Sequence, residues 1–351
     1  MQEFFRMPPS ERDHIPAFRI ALGVAIPLLT LLFIDRLDLA VYAAFGAFTG
    51  IYARFESPRS RLLRQSIAGT VLVGCVGIGA LLSSLQASMW LLIVVTALVS
   101  GAGAAIALRC NLKPGGSIFF VFATSALASN PEGGPVLVAV AVAGASACVS
   151  IVLGAVAHLV GERMPPGVTA QLVTPTRGDL LSHAARFTVA PLLAGVAGGI
   201  STGALPILTH SYWAMVAAVA MITPPHRSAR IKRGLHRMVG TLGGVVVTAF
   251  LLSFPSQPWQ LVVWVIILQF SAEVFVLRHY SMALLFITPL ALLMTQLGMP
   301  QPVPGLLISR AVETAIGVLV GVLVVIFGFR KETFAAAVHT NLPDEDPAQD
   351  D

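Results

Sequence analysis

Four basic residues, Arg230, Lys232, Arg233 and Arg237, fall within eight positions and lead without a break into an apolar run that ends near Phe254. Arg230, Arg233 and Arg237 step by three and four, so on a helix they share one face, which continues through Gly240, Thr241 and Gly244. Arg61 and Arg64 make a smaller version earlier in the chain. Two basic helix starts that face each other form an electropositive vestibule, which concentrates anions at one mouth of a pathway. Topogenesis and lipid headgroup contact call for the same positive charge, but the basic residues over the two loops outnumber what topology requires.

Ionisable groups inside apolar runs are few. Glu313 lies ten residues into the last run, with Arg310 three positions before it and within reach on the same face. Burying either charge alone is expensive, so the spacing predicts a pair or a polar cavity. Glu273 stands near the end of another run, where Arg278 is an available partner. His210 and Asp38 open two short runs, Asp38 as an N-cap, and His158 is a packing residue near a helix end. For proton coupling the candidates are Glu313, Glu273 and His210.

The elements that carry these residues are membrane helices. The chain is 56% hydrophobic and 11% charged, with a mean hydropathy of +0.83, outside the range of soluble domains. Its net charge of +5 is spread over short loops, which fits membrane topology rather than nucleic-acid binding. Twelve apolar runs occur near 17–34, 38–53, 61–84, 88–108, 115–129, 135–161, 185–205, 210–223, 231–254, 258–277, 280–297 and 303–329. They are continuous rather than alternating, which predicts helices and not barrel strands. The runs at 38–53 and 210–223 are short. Short segments at matching places in two halves point to a central pathway.

With a cytoplasmic N-terminus, all but Arg36 and Arg310 of the 22 lysines and arginines fall on cytoplasmic segments, so both termini are expected inside the cell membrane. Arg59, Arg61, Gly69 and Thr70 fall opposite Arg230, Lys232, Gly240 and Thr241, and Gly154 and Gly161 opposite Gly321 and Gly328. The expected fold is all-α, with about twelve transmembrane helices in two tandem six-helix repeats (1–161 and 185–330) related by a pseudo-two-fold along the membrane normal. A cytoplasmic linker covers 162–184, and an acidic tail, 331–351, has nothing to bury and is expected to be disordered. Small residues four apart, such as Gly46 and Gly50 or Gly317 and Gly321, predict close helix packing within the chain.

No GxxxxGK[ST], HExxH or GxSxG sequence occurs. The polar inventory is too thin for catalysis. Cys75, Cys110 and Cys148 stand apart without metal-ligand spacing, so neither a cofactor nor a metal is expected.

The basic loop leading to Gly240, Thr241 and Gly243, the run Leu285 to Pro289, and the arrangement Arg310, Glu313, Gly317 resemble the fusaric acid resistance and aromatic acid exporter family. More distantly they resemble the plant aluminium-activated malate transporters. The resemblance spans both halves and is clearest in the second. The chain departs from the larger bacterial members in having only a short link where they carry a sizeable cytoplasmic domain. The resemblance implies a membrane exporter or channel for organic anions, with six-helix units paired around a pore. The expected function is efflux of small organic carboxylates, aromatic ones first, with Arg61, Arg64, Arg230, Arg233 and Arg237 attracting the anion at the cytoplasmic mouth and Arg310 and Glu313 along or beside the pathway. A passive anion channel and a membrane scaffold or lipid-processing partner stay open as alternatives. So do a second copy of the chain and an accessory export protein as partners.

Overall fold

A computed structural model describes residues 13–54, 56–131, 133–162, 174–205, 207–208, 211–224 and 226–327. These residues form twelve α-helices and no strand. The first six are α1 (His14–Phe33), α2 (Ala40–Ala47), α3 (Pro58–Ser84), α4 (Met89–Arg109), α5 (Ile118–Ala128) and α6 (Val136–Val156). The second six are α7 (Arg177–Ala204), α8 (Tyr212–Ile222), α9 (Arg227–Leu252), α10 (Pro258–Phe275), α11 (Tyr280–Gly298) and α12 (Val303–Phe327). Nine of them are long and apolar enough to cross a membrane. This is the architecture of a multi-pass membrane protein.

The remaining three, α2 with its flanking 3-10 turns, α5 and α8, are too short for the roughly 20 residues that span a hydrocarbon core. Their place in the bundle accounts for this, because every residue of α8 and all but one of α2 are buried. Sheathed by longer helices, they need not match the bilayer, and their ends are free to meet other protein groups.

Local sequence sets where the helices begin. Ser57 and Ser88 cap α3 and α4 by accepting from the Ser60 and Leu91 amides, and Pro58 takes the first position of α3, where no amide is needed. Helix α7 starts at Arg177, inside the stretch expected to be linker. Thr176 and Asp179 close a capping box there, with Thr176 Oγ1 accepting from the Asp179 amide at 3.2 Å and the Asp179 carboxylate accepting from the Thr176 amide at 3.0 Å. Residues 163–173 of the expected linker, His210, and everything from 328 onward, including the acidic tail, lie outside the described residues.

The two sets of six helices have corresponding neighbours. In the first, α1 packs on α2 and α6, α2 on α6, α3 on α5 and α6, and α4 on α5; in the second, α7 packs on α8 and α12, α8 on α12, α9 on α11 and α12, and α10 on α11. The sets join through α1 against α10 and α4 against α7 on the outside, and through α2 against α11 and α5 against α8 on the inside. Glycines allow the tightest of these approaches. A Cβ at Gly46 of α2 would run into the Ala143 backbone of α6, and one at Gly317 of α12 into the Ala214 carbonyl of α8. Gly240 and Gly244 similarly seat α9 on Ser281, Leu284 and Thr288 of α11. Small residues four apart therefore serve contacts inside the chain.

At the end of the bundle that carries the basic loops, a buried ion network ties α1, α3 and the end of α6 together. Glu162, beyond α6, accepts from Arg19 Nε of α1 at 2.8 Å and lies 3.0 Å from an Arg61 terminal nitrogen of α3. Arg19 also donates to the Gly50 carbonyl at 3.0 Å, and Arg61 to the Gly154 carbonyl at 3.1 Å. Arg64 pairs with Glu56. Buried cations persist where each finds an acid and the remaining N–H groups find carbonyls, and both conditions hold here.

Candidate anion site between the two halves

Helices α2, α5, α8 and α11 surround a cavity of about 350 Å³, with further lining from α9, α10 and α12. That volume is at the lower end of small-molecule sites, about 300–1,000 Å³. The three short helices thus all border the same space, together with α11. Phe45, Phe48, Phe119 and Phe122 of the first half line one wall, and Tyr212 and Trp213 extend it. The rings touch in sequence: Phe48 to Phe45 at 5.7 Å, Phe45 to Phe122 at 5.0 Å, and Phe122 to Trp213 at 5.0 Å between centroids. Edge-on and tilted pairs of this kind fix the wall's shape.

Cationic groups line the same space. Arg233 and Arg237 of α9 and Arg310 of α12 all line the cavity. Tyr280, the first residue of α11, gathers them: Arg237 donates to its hydroxyl at 2.9 Å, the Arg233 guanidinium lies 3.9 Å over its ring, and the charges of all three arginines act on its hydroxyl. Arg310 stacks 3.9 Å over the Trp213 ring. None of the three has an acid partner among the described residues, and Arg233 Nε, Arg237 Nε and Arg310 Nε and Nη1 are buried without any hydrogen-bond acceptor. Buried N–H groups are otherwise almost always paired, so this lining is prepared to receive an acceptor.

An ion pair lines the basic end of the cavity. Arg54, in the loop after α2, pairs with Glu273 of α10 and donates to its backbone carbonyl at 3.1 Å, while Gln269 donates to the Glu273 carboxylate at 2.8 Å. Both partners are less than a tenth exposed. Burial pushes the Arg54 guanidinium down to about 10, so it keeps its charge at neutral pH. Lys113 and Pro114 complete this end, and the Ala53 amide is bonded to the Lys113 carbonyl at 2.9 Å. Met299 and Val41 line the other end.

Of the five arginines expected in a vestibule, Arg233 and Arg237 reach the cavity. Arg61 and Arg64 are taken up by Glu162 and Glu56, and Arg230 turns to the Pro224 carbonyl at 2.7 Å. Glu273 lines the cavity but pairs with Arg54, not with the neighbouring Arg278. The expected pair of Arg310 with Glu313 is not formed, because Arg310 stacks on Trp213, and both Glu313 oxygens are left without a hydrogen bond. Trp213, Tyr280 and Arg54 were not anticipated. The available signal was an aromatic residue at or next to the start of a helix that borders the pathway. No group of three or more His, Cys, Asp or Glu suited to a metal occurs among the described residues.

Residues 189–324 match the family described as fusaric acid resistance protein-like. An uncharacterised protein from Synechocystis sp. is 30% identical over 139 residues, which is 39% of this chain and 18% of that protein. The alignment thus spans less than a fifth of that relative. No solved structure matches the chain. The resemblance read from the sequence is matched over 189–324, the part that supplies Arg233, Arg237, Tyr280, Arg310 and Glu313, so it is the second half of the chain that is similar to the fusaric acid resistance protein-like family.

Proposed function

We propose that this protein moves small aromatic carboxylate anions out of the cell across the cytoplasmic membrane. The observation that carries the reading is the cavity itself, lined by three acid-free guanidinium groups and by phenylalanine and tryptophan rings, with Arg310 stacked on Trp213 where the two meet. A carboxylate satisfies the open N–H groups through charge-assisted bonds, and an aromatic ring packs on the aromatic wall. The matching neighbours of the two helix sets support a pseudo-two-fold along the membrane normal, with the cavity on that axis. The basic loops support a cytoplasmic location for the Arg54–Glu273 end. An anion leaving a cell that is negative inside gains about 2.3 kcal/mol per charge per 100 mV, so no built-in motor is required.

The test is release from proteoliposomes loaded with benzoate, cyclohexanecarboxylate or succinate under an imposed potential. Saturable release with benzoate fastest supports the reading, and equal release of all three, or none, refutes it. A passive channel is the second reading, favoured by the absence of any ATP-binding motif. It would show single-channel currents in planar bilayers, whereas a carrier turns over too slowly to give them.

A further inference from the structure

We infer that Glu313 is the proton-binding group of the anion site: protonated, it leaves Arg310 free to take a carboxylate in the cavity, and ionised, it draws Arg310 away as its own partner. The inference rests on the carboxylate reading of the cavity and adds the control of its affinity.

Glu313 is fully buried on α12, one turn beyond Arg310, and does not line the cavity. It sits where α12 meets α7 and α8: a Cβ at Gly198 would stand 3.3 Å from Glu313 Oε2, 3.1 Å from the Ser211 carbonyl and 3.3 Å from the Ala214 side chain. Neither carboxylate oxygen has a side-chain partner or a well-formed hydrogen bond, the backbone amide of Ala214 being the one donor that acts on the group, and two nitrogens of Arg310 are bare. A residue three positions away on a helix is within pairing reach. Yet the guanidinium lies over Trp213 instead. An ionised carboxylate and a cation one turn apart, both buried and neither paired with an opposite charge, is an expensive arrangement; a neutral carboxyl in the same place costs far less. The conformation described is therefore that of the protonated acid, and loss of the proton provides the drive to form the pair.

Few other groups bear on this balance. Tyr212 of α8 acts on both Glu313 and Arg310, and Arg237 of α9 and Tyr280 of α11 act on Arg310. At this level α7 contributes Gly198, which carries no charge. A phenol ordinarily titrates near 10 and an arginine above 12, so of these groups Glu313 is the one suited to change charge near neutrality.

Substrate and Glu313 then compete for one guanidinium, and each carboxylate bound in the range where Glu313 is ionised brings a proton onto it. Affinity rises as pH falls, by up to about tenfold per pH unit for one linked proton. An organic acid that enters a cell in neutral form releases its proton inside, so the site would tighten under the load it is built to relieve.

The experiment is calorimetric titration of the full chain in lipid nanodiscs with benzoate, between about pH 6 and about pH 8, in two buffers of different ionisation enthalpy. Benzoate, a carboxylic acid with a pKa of about 4, stays ionised throughout, so the buffer difference counts protons taken up by the protein. The expected result is uptake approaching one proton per benzoate and a Kd that weakens with rising pH. Glu313→Gln should bind with the tight, low-pH constant at every pH and take up no proton. Wild-type binding without proton uptake overturns the inference but leaves the cavity reading intact, and it does so even if the variant fails to fold. Undiminished uptake in Glu313→Gln also overturns it, as does uptake that vanishes only in His210→Gln. No benzoate binding by the wild type at any pH overturns the cavity reading and this inference with it.

Discussion

Replacing Arg233 and Arg237 together by glutamine separates a built anion site from a merely positive membrane face. Both side chains line the cavity, and each keeps a buried Nε without an acceptor. A hydrogen bond to a charged group contributes about 1.5–3 kcal/mol, so losing two removes about 3–6 kcal/mol if Arg310 does not compensate. That is a weakening of roughly 10²- to 10⁴-fold in Kd. Lys232→Gln is the control: it removes a charge from the same helix, but Lys232 is exposed and does not line the cavity. The assay is benzoate binding to purified protein, with release from proteoliposomes as a second readout and thermal unfolding to verify that each variant folds. The expected order is wild type and Lys232→Gln together, with the double variant far weaker. A double variant within about twofold of wild type refutes the reasoning. So does an equal loss in Lys232→Gln, because affinity would then follow net charge and not the cavity.

Trp213→Leu removes the ring on which Arg310 rests, a contact of about 2 kcal/mol when desolvated, together with part of the aromatic wall. Benzoate binding should weaken by roughly tenfold or more, read by the same titration. Glu162→Gln leaves Arg19 and Arg61 without their shared anion, and breaking a buried pair from one side costs about 3–5 kcal/mol. Its thermal unfolding should fall sharply, while Arg36→Gln, which breaks the exposed pair with Asp38, should leave unfolding unchanged. Gly317→Ala forces a methyl group into the Ala214 backbone and should cost about 1–3 kcal/mol by overpacking. Gly203→Ala, with nothing within 4 Å of the new methyl group, should be tolerated, and comparing the two midpoints checks the close approach.

Helix content was legible because it depends on local composition: each apolar run became a helix, and the short runs at 38–53 and 210–223 gave the short α2 and α8 that border the cavity. The start of α7 was within reach too, since Thr176 and Asp179 form a recognisable capping box. The partners of the arginines were not legible. Arg19 meets Glu162 across 143 positions and Arg54 meets Glu273 across 219, and only the way the helices stack decides such encounters. A row of arginines at helical spacing looks uniform in sequence, yet Arg230, Arg233 and Arg237 end on a loop carbonyl, an aromatic ring and a phenol. Arg310 and Glu313 show the limit of spacing arguments. Three positions put them within reach of each other, but Trp213, from a different helix, offers the guanidinium another resting place.

The three arginines without acid partners come from one half of the molecule and the four phenylalanines that share the cavity with them from the other. A pairing of two second halves would crowd twice as many like charges into one space, while a pairing of two first halves would keep Arg54 and Lys113 but lose Glu273, the acid that Arg54 pairs with. However alike their helices are laid out, the halves are complementary pieces, and neither could be traded for a copy of its neighbour without losing the mixed lining of the cavity.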